Sequence, residues 1–231
     1  MITDYITASN KYGQYAIPPE TAHRPAAHLL IMGEVYEPDT IQFMLDNCGT
    51  GTIIHAGTFF GDFLPALNTA GNKVYAFEPV KRNYDHAVET LSMITDQINI
   101  TLFNYGLGEV NKTESIIHTG HTGESLGGGA RYNYNKNAIL PEHIEDTEVV
   151  TLDSIVDDHT NVSIIQLDVE GYEENALKGA MSIIEKSSPI IIVECWDESM
   201  FQTDFFKNEI FSKGYVRGNN LHDNVILRKA V

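Results

Sequence analysis

The chain has little of the chemistry that marks several large protein classes. Its only cysteines are Cys48 and Cys195, which excludes a disulfide framework and a cysteine-rich zinc site. No apolar run approaches the roughly 20 residues that span a bilayer. The N-terminal stretch MITDYITASNKYGQ also lacks the basic start and apolar core of a signal peptide. We therefore expect a protein of the reducing cytoplasm, without a membrane partner.

Positive charge is also scarce. Lys and Arg number 15 against 32 Asp and Glu, which gives a formal net charge of −17. Proteins that bind a phosphate backbone need a basic surface. We therefore expect no nucleic-acid partner and no anionic membrane surface. The 42% of hydrophobic residues is what an ordinary globular domain has.

From Thr52 onward, apolar runs alternate with helical patterns. The predicted strands are TIIHA, KVYAF, INITLFNY, VSIIQLDV and PIIIVEC, and the predicted helices are DFLPALNTAG, VKRNYDHAVETLSMI and YEENALKGAMSIIEK. This alternation predicts βαβ units and a doubly wound, mostly parallel α/β sheet. The end of the chain, GYVRGNNLHDNVILRK, predicts two strands at an antiparallel edge of that sheet.

Two regions lie outside this rhythm. Residues 1–38 are predicted as an N-terminal arm with one short helix near AAHLLIMG, which leaves 39–231 as the main domain. Within that domain, residues 118–148 are rich in Gly and Asn and have no clear hydrophobic periodicity. The segment is also longer than an ordinary connection between a strand and a helix. Such a segment is typical of a lid or substrate loop, and a disordered surface insertion is the alternative.

The first βα turn, GTFFGD, predicts a binding loop for a ligand without phosphates. A dinucleotide site needs G-x-G-x-x-G so that pyrophosphate can approach bare backbone. Here the middle glycine is missing, and Phe59 would obstruct that approach. S-adenosylmethionine carries no phosphate and tolerates bulky residues in such a loop. The predicted contacts are Gly57, Thr58, Phe59, Gly61 and Asp62.

Glu78 supports an adenosine ligand. It ends the second predicted strand about twenty residues beyond the loop, where an acidic residue binds the ribose hydroxyls of a nucleotide. Pro79 follows it. A solvated strand-end glutamate is the alternative interpretation.

The order of these segments resembles the FkbM family of S-adenosylmethionine-dependent methyltransferases from about Tyr36 to Lys229. The strongest similarity is LDVEGYEENALKGA, Leu167 to Ala180. The resemblance implies a seven-stranded, Rossmann-like class I methyltransferase fold. It also implies O-methylation of sugars, glycolipids or natural products, so the expected partner is a small-molecule or glycan acceptor. Tyr105 and Gly106 of NYGLG, together with Asp168, complete the predicted cofactor site.

One departure from the family pattern is His55, which stands where members generally have aspartate. That acid supports the loop and the methionine end of the cofactor. If the imidazole replaces it poorly, an aspartate at position 55 should tighten cofactor binding, and Asp62 is a candidate substitute. A non-catalytic protein that binds S-adenosylmethionine on the same fold is the second functional hypothesis.

Three carboxylates are predicted at the catalytic edge of the sheet. Asp168 and Glu170 follow one apolar strand, and Glu194 ends the next. They predict a general base for a hydroxyl acceptor or, alternatively, ligands for a divalent cation. The structural alternative is that Asp168 and Glu170 cap the following helix.

Other patterns give weaker predictions. Tyr132 and Lys136 have the spacing of a dehydrogenase proton-transfer pair, but GGGARYNYNKN is a poor helix. His118 and His121 form a possible metal pair that nine histidines make unsurprising. Trp196 and Tyr172 are interpreted as packing residues or pocket walls.

Overall fold

The computed structural model describes residues 2–132, 139–157 and 159–230. The strands are β1 (Ile6–Asn10), β2 (Gly13–Ile17), β3 (Thr52–Ala56), β4 (Val74–Phe77), β5 (Ile100–Phe103), β6 (Gly106–Leu107), β7 (Lys112–Ile117), β8 (Ile144–Val150), β9 (Val162–Leu167), β10 (Ile190–Glu194), β11 (Tyr215–Leu221) and β12 (Asn224–Lys229). The α-helices are α1 (Pro25–Ile31), α2 (Pro38–Asn47), α3 (Leu64–Asn68), α4 (Lys81–Ser92), α5 (Leu152–Ile155), α6 (Glu173–Lys178) and α7 (Met181–Ser187). Short 3₁₀ turns lie at Pro19–Thr21, Gly127–Gly129, Pro141–His143, Glu198–Gln202 and Phe211–Lys213, and a π-helical turn lies at Phe206–Ile210.

A seven-stranded sheet forms the centre of the domain, in the order β11-β12-β10-β9-β3-β4-β5. Strands β10, β9, β3, β4 and β5 are parallel, and β12 runs antiparallel to both of its neighbours. This arrangement confirms the predicted mostly parallel α/β sheet with its antiparallel C-terminal strand. The chain order reverses beside β3, and in such sheets ligands bind outside the carboxyl ends of the strands at that point.

Helices cover both faces of the sheet, and its strands are therefore continuous apolar runs in the sequence. On one face, Ile54 of β3 packs in a cluster with Leu177 of α6 and Ile184 of α7. On the other face, Ile53 packs with Met44 of α2 and residues of α3. Alternate residues of each strand therefore enter different halves of the core.

The predicted helix YEENALKGAMSIIEK is two helices, α6 and α7, which is a correction. The break lies at Gly179, where a Cβ atom would come within 2.0 Å of the carbonyl oxygen of Gly108. The close approach of a distant loop therefore decides where the helix ends. Sequence periodicity continues across this position and gives no sign of the contact.

The N-terminal segment contains more structure than the predicted arm. Helix α1 lies where the short helix was predicted, but the antiparallel hairpin of β1 and β2 was not predicted. The buried residues Tyr15 and Ile17 of this hairpin join Ala27 of α1 in a cluster with Phe59 and Phe60 of the first binding loop. The segment thus packs directly on that loop.

Part of the predicted lid is a strand. A second sheet has the order β6-β8-β7, and β8 includes the last residues of the 118–148 segment. Residues 133–138 of that segment, including Lys136, lie outside the described residues. In the described part of the chain, no helix is both long and apolar enough to cross a membrane.

Candidate active site

Two adjoining cavities open at the carboxyl ends of the central strands. The first lies against β3 and β4 and includes Ala56, Phe77 and Glu78 in its walls. The second lies on the side of α1 and β10. Both are bordered by Gly57, Gly128 and Asp168, so the two form one continuous cleft.

Gly57 allows the first loop to pass close to β9. Its φ angle is +89°, and a Cβ atom there would lie 1.8 Å from the carbonyl oxygen of Asp168. The amide of Asp168 in turn donates to the carbonyl of Ala56 at 3.0 Å. A glycine at position 57 therefore fixes the distance between the loop and Asp168.

Phe59 and Phe60 anchor the loop to the rest of the molecule. The ring of Phe59 lies beside α1 and the Gly127–Gly129 turn, and Phe60 is fully buried. Phe59 also borders the second cavity and has an unusual φ of +51°. Its amide donates to the Glu78 carboxylate at 2.8 Å, which ties the loop to the end of β4.

Glu78 is buried at the wall of the first cavity. Its Oε2 accepts from the Phe59 amide, and its Oε1 accepts from the Val80 amide at 2.9 Å and the Asn83 side chain at 3.3 Å. Burial raises the pKa of Glu78 to about 8. A carboxylate offers about four acceptor positions, so one remains for a ligand hydroxyl. The solvated strand-end alternative is wrong, because only 4% of this residue is exposed.

Asp62 is the acidic group of the first loop that borders the second cavity. It accepts a hydrogen bond from the Phe63 amide at 3.0 Å. Burial, together with nearby Glu37, raises the pKa of Asp62 to about 8. A cationic ligand group in this cavity would favour its ionised form.

His55 lies beneath the loop and borders neither cavity. Its Nδ1 contacts Oε1 of Gln166 on β9, and its ring stacks on Phe63 at a centroid distance of 5.1 Å. Burial lowers the pKa of His55 to about 4, so the ring is neutral near pH 7. The reasoning that an acid at position 55 would reach the cofactor therefore has no geometric support in this chain.

The three predicted carboxylates meet at the second cavity. One oxygen each of Asp168, Glu170 and Glu194 lies within 4.8 Å of the others. Burial, together with the neighbouring Glu194, raises the pKa of Asp168 well above its usual range. Burial also raises the pKa of Glu194 to about 7.

Another acid, Glu173, satisfies the turn before α6. It accepts from the amides of Val169 at 3.1 Å and Gly171 at 3.2 Å. Asp168 and Glu170 border the second cavity, and the alternative in which they also favour the helix dipole stays a prediction.

The remaining predicted contacts divide by position. Pro79, Tyr105 and Gly106 border the first cavity. Thr58 and Gly61 border neither cavity. Thr58 is fully buried, and Gly61, with φ of +88°, packs on Leu64 and Thr90, so both help to shape the loop. Their role as direct contacts of the cofactor stays a prediction.

Sequence reasoning missed four residues of the second cavity, Arg24, Pro25, Ala26 and Tyr36. Trp196, interpreted as a packing residue or pocket wall, also borders it. Arg24 lies before α1, and its Nη2 would be 2.7 Å from a Cβ at Gly129. Gly127 and Gly129 thus pack tightly against Phe59 and Arg24. No motif in the N-terminal segment signals that it reaches the cleft.

The weaker sequence patterns find no support in the described residues. Tyr132 is buried, and its hydroxyl contacts the Thr147 hydroxyl at 2.8 Å. His118 and His121 belong to no group of potential metal ligands within residues 2–132, 139–157 and 159–230. In that part of the chain the one such group is the carboxylate cluster.

Comparison with known proteins identifies the family. The model of the methyltransferase FkbM domain matches residues 51–217, which is well over half of the chain. The chain belongs to the FkbM methyltransferase family. The matched range contains every carboxylate of the cleft, whereas Arg24 and Tyr36 lie outside it. A search of curated proteins found no match.

Several solved structures are similar to this chain, and one of them has a TM-score above 0.5. Methyltransferase FkbM from Methylobacillus flagellatus KT superposes with a TM-score of 0.55 at 21% identity, over 78% of this chain and 43% of that one. The chain thus spans about two fifths of the length of that FkbM protein. An rRNA methylase from Streptococcus thermophilus has a TM-score of 0.45 at 14% identity, over 84% of this chain and 95% of that one. A tRNA (uracil-54, C5)-methyltransferase from Pyrococcus abyssi, solved with S-adenosyl-L-homocysteine, has a TM-score of 0.47 at 10% identity, over 100% of this chain and 45% of that one.

Proposed function

We propose that this FkbM-family protein transfers the methyl group of S-adenosylmethionine to a hydroxyl of a small polyhydroxylated acceptor, such as a sugar, a glycan or a natural product. The observation that carries the proposal is the position of Asp168. It borders both cavities, so the methyl group of a donor that extends from the first cavity into the second would meet the acceptor beside its carboxylate.

The first cavity suits an adenosine group. Its walls are mostly apolar, and Tyr105 stacks on Phe103 at one side, which offers a flat surface for a base. The remaining acceptor position of Glu78 suits one ribose hydroxyl. The side chain of Phe59 fills the space near Gly127 and Gly128, which leaves no bare glycine backbone for a pyrophosphate.

The second cavity suits the cationic end of the donor. The sulfonium and ammonium groups of S-adenosylmethionine are positive, and Asp62 is a buried carboxylate at the cavity wall. Two opposite charges about 4 Å apart attract by several kcal/mol in a partly dry site. The donor would then relieve part of the cost of burying Asp62.

The acceptor would approach from the side of Glu170, Glu194 and Trp196. Methyl transfer from a sulfonium is an in-line displacement, so alignment supplies much of the rate. A hydroxyl is a weak nucleophile, and a base with a pKa near the working pH is the most effective one. Burial raises the pKa of Glu194 to about 7, and burial together with Glu194 raises the pKa of Asp168 above its usual range. Trp196 is 71% exposed at the mouth and offers a flat apolar face for a sugar ring.

The test combines donor binding with turnover. Titration calorimetry should show binding of S-adenosylmethionine, and labelled donor should transfer its methyl group to a member of a panel of sugars and glycosides. Asp168→Asn should keep the fold and lower kcat by about 10²–10⁴-fold, as expected for a lost base. Asp96→Asn, at an exposed loop position, is the matched control.

Two results would decide against this function. Turnover by Asp168→Asn at the level of Asp96→Asn would remove Asp168 from the chemistry. Donor binding without transfer to any acceptor in the panel would favour the non-catalytic binding protein instead.

A further inference from the structure

The carboxylate cluster in the second cavity carries an electrostatic cost that the protein relieves only in part. Asp168, Glu170 and Glu194 all border this cavity. Arg131 and Arg24 face Glu170 and counter its charge. Three carboxylates whose oxygens lie within 4.8 Å of one another repel strongly when ionised.

Glu194 supplies an independent sign that something else binds here. Only 9% of this residue is exposed, and its Oε2 is buried with no hydrogen-bond partner. Among the described residues it is the one carboxylate oxygen in that condition. A buried acceptor without a partner costs about 1–3 kcal/mol, and more when charged. Because Glu194 borders the second cavity, this oxygen is available to a ligand there.

The nearby structural demands are already met by other groups. Glu173 accepts the amides of the turn before α6. Asp62 accepts the Phe63 amide on the loop side of the cavity. Neither Asp168 nor Glu194 is therefore needed for capping or for the loop. Their carboxyl groups hydrogen-bond to each other, and Glu194 also contacts Trp196, so the partners of this pair all lie at the second cavity.

We infer that Asp168, Glu170 and Glu194 bind one divalent cation of the hard, oxygen-preferring class, Mg²⁺ or Mn²⁺. Carboxylate oxygens are the ligands that such ions prefer, and the cluster includes Glu194, whose buried Oε2 has no hydrogen-bond partner. The cation would neutralise a cluster that otherwise stores like charge.

The cation also narrows the class of acceptor, and this step rests on the proposed function. Mg²⁺ favours about six ligands, so three protein carboxylates leave positions for water and for acceptor oxygens. An acceptor with two adjacent oxygens, such as a vicinal diol, would fit those positions best. With the cation bound, Asp168 would act as a ligand and no longer as the free base. The bound hydroxyl has a lowered pKa, so its proton passes to water at the open mouth. The oxygen then forms the new O–C bond as the C–S bond breaks, which yields a methyl ether and S-adenosylhomocysteine.

Metal binding can be measured without donor or acceptor. The full chain, stripped with a chelator, is titrated with Mn²⁺ by calorimetry and by electron paramagnetic resonance. Trp196, the single tryptophan, borders the same cavity, so bound Mn²⁺ should quench its fluorescence and a chelator should restore it. We expect saturable binding of one ion per chain.

Amide variants locate the site. Outer-sphere partners alone change metal affinity by about 10–100-fold, so loss of a direct ligand in Glu194→Gln or Asp168→Asn should weaken Mn²⁺ binding at least about tenfold. Glu198→Gln is the matched control, because its exposed side chain pairs with Arg217 outside the cluster. If Glu194→Gln does not fold, the Mn²⁺ affinity of Asp168→Asn alone tests the site.

The inference is overturned if Mn²⁺ does not bind saturably, or if both amide variants bind it as well as Glu198→Gln. A separate titration with S-adenosylmethionine in chelator keeps the two proposals apart. If the chain binds S-adenosylmethionine but not Mn²⁺, only the proposal of a metal site is refuted. If the chain binds Mn²⁺ but not S-adenosylmethionine, the metal site is supported and the proposal that S-adenosylmethionine is the methyl donor is refuted.

Discussion

Replacing Gly57 with alanine perturbs the contact between the first loop and the carboxyl end of β9. The residue has a φ of +89°, a conformation that costs an L-residue about 1–2 kcal/mol. The new Cβ would also lie 1.8 Å from the Asp168 carbonyl oxygen, where backbone must move. Overpacking of this kind costs about 1–3 kcal/mol in addition.

Gly71→Ala separates these two costs. Gly71 has a similar φ of +71°, but nothing lies within 4 Å of its Cβ position. Alanine also lowers the entropy of the unfolded chain, which returns about 0.4–1 kcal/mol in both variants. We expect Gly71→Ala to cost at most about 1.5 kcal/mol and Gly57→Ala about 1–3 kcal/mol more.

The assay is urea denaturation followed by circular dichroism, with the free energy of unfolding compared at equal slope. Donor affinity, measured by calorimetry, should fall in Gly57→Ala and stay unchanged in Gly71→Ala, because only the first displaces Asp168. Equal free energies of unfolding in the two variants would refute the inferred contact.

Three further outcomes follow from the buried polar groups. Glu78→Gln should weaken donor binding by about 1.5–3 kcal/mol, the range for a hydrogen bond to a charged group, and unchanged affinity in calorimetry would remove Glu78 from the ribose site. His55→Asp buries a carboxylate beside Gln166, so the melting temperature near pH 8 should drop while donor affinity changes little; tighter donor binding would restore the interpretation drawn from the family pattern. Burial raises the pKa values of Asp62 and Glu78 to about 8, so between about pH 6.5 and 8 the folded chain holds protons that the unfolded chain has released. Stability should therefore fall as the pH rises through that window, and Asp62→Asn should flatten the melting-temperature profile; a flat profile in the unaltered chain would contradict the burial argument.

The central sheet was predictable because its signals are local. Apolar runs such as TIIHA and PIIIVEC are long enough for strands that are buried on both faces, and glycine or proline marks most of their ends. The convergence of Asp168 and Glu194 was predictable for a related reason. Asp168 follows β9 and Glu194 ends β10, and these two strands are parallel neighbours. Both side chains must therefore lie at the same edge of the sheet.

Other features follow only from contacts between distant segments. The break between α6 and α7 depends on a loop carbonyl that approaches Gly179. The role of Phe59 as an anchor depends on a hairpin about forty residues earlier in the chain. The periodicity of the sequence predicts neither the helix break nor the anchoring of Phe59, because each depends on contact with a distant part of the chain.

The site itself divides in the same way. The sequence determined which acids lie at the strand ends, because the position of a strand and the residue that follows it can both be predicted from the local sequence. The tertiary structure decided that Glu173 caps the turn and that His55 contacts Gln166 outside both cavities. It also decided that Arg24 and Trp196 complete the second cavity. A side chain acquires these roles from its neighbours in space, and the sequence around it does not carry the orientation that brings those neighbours together.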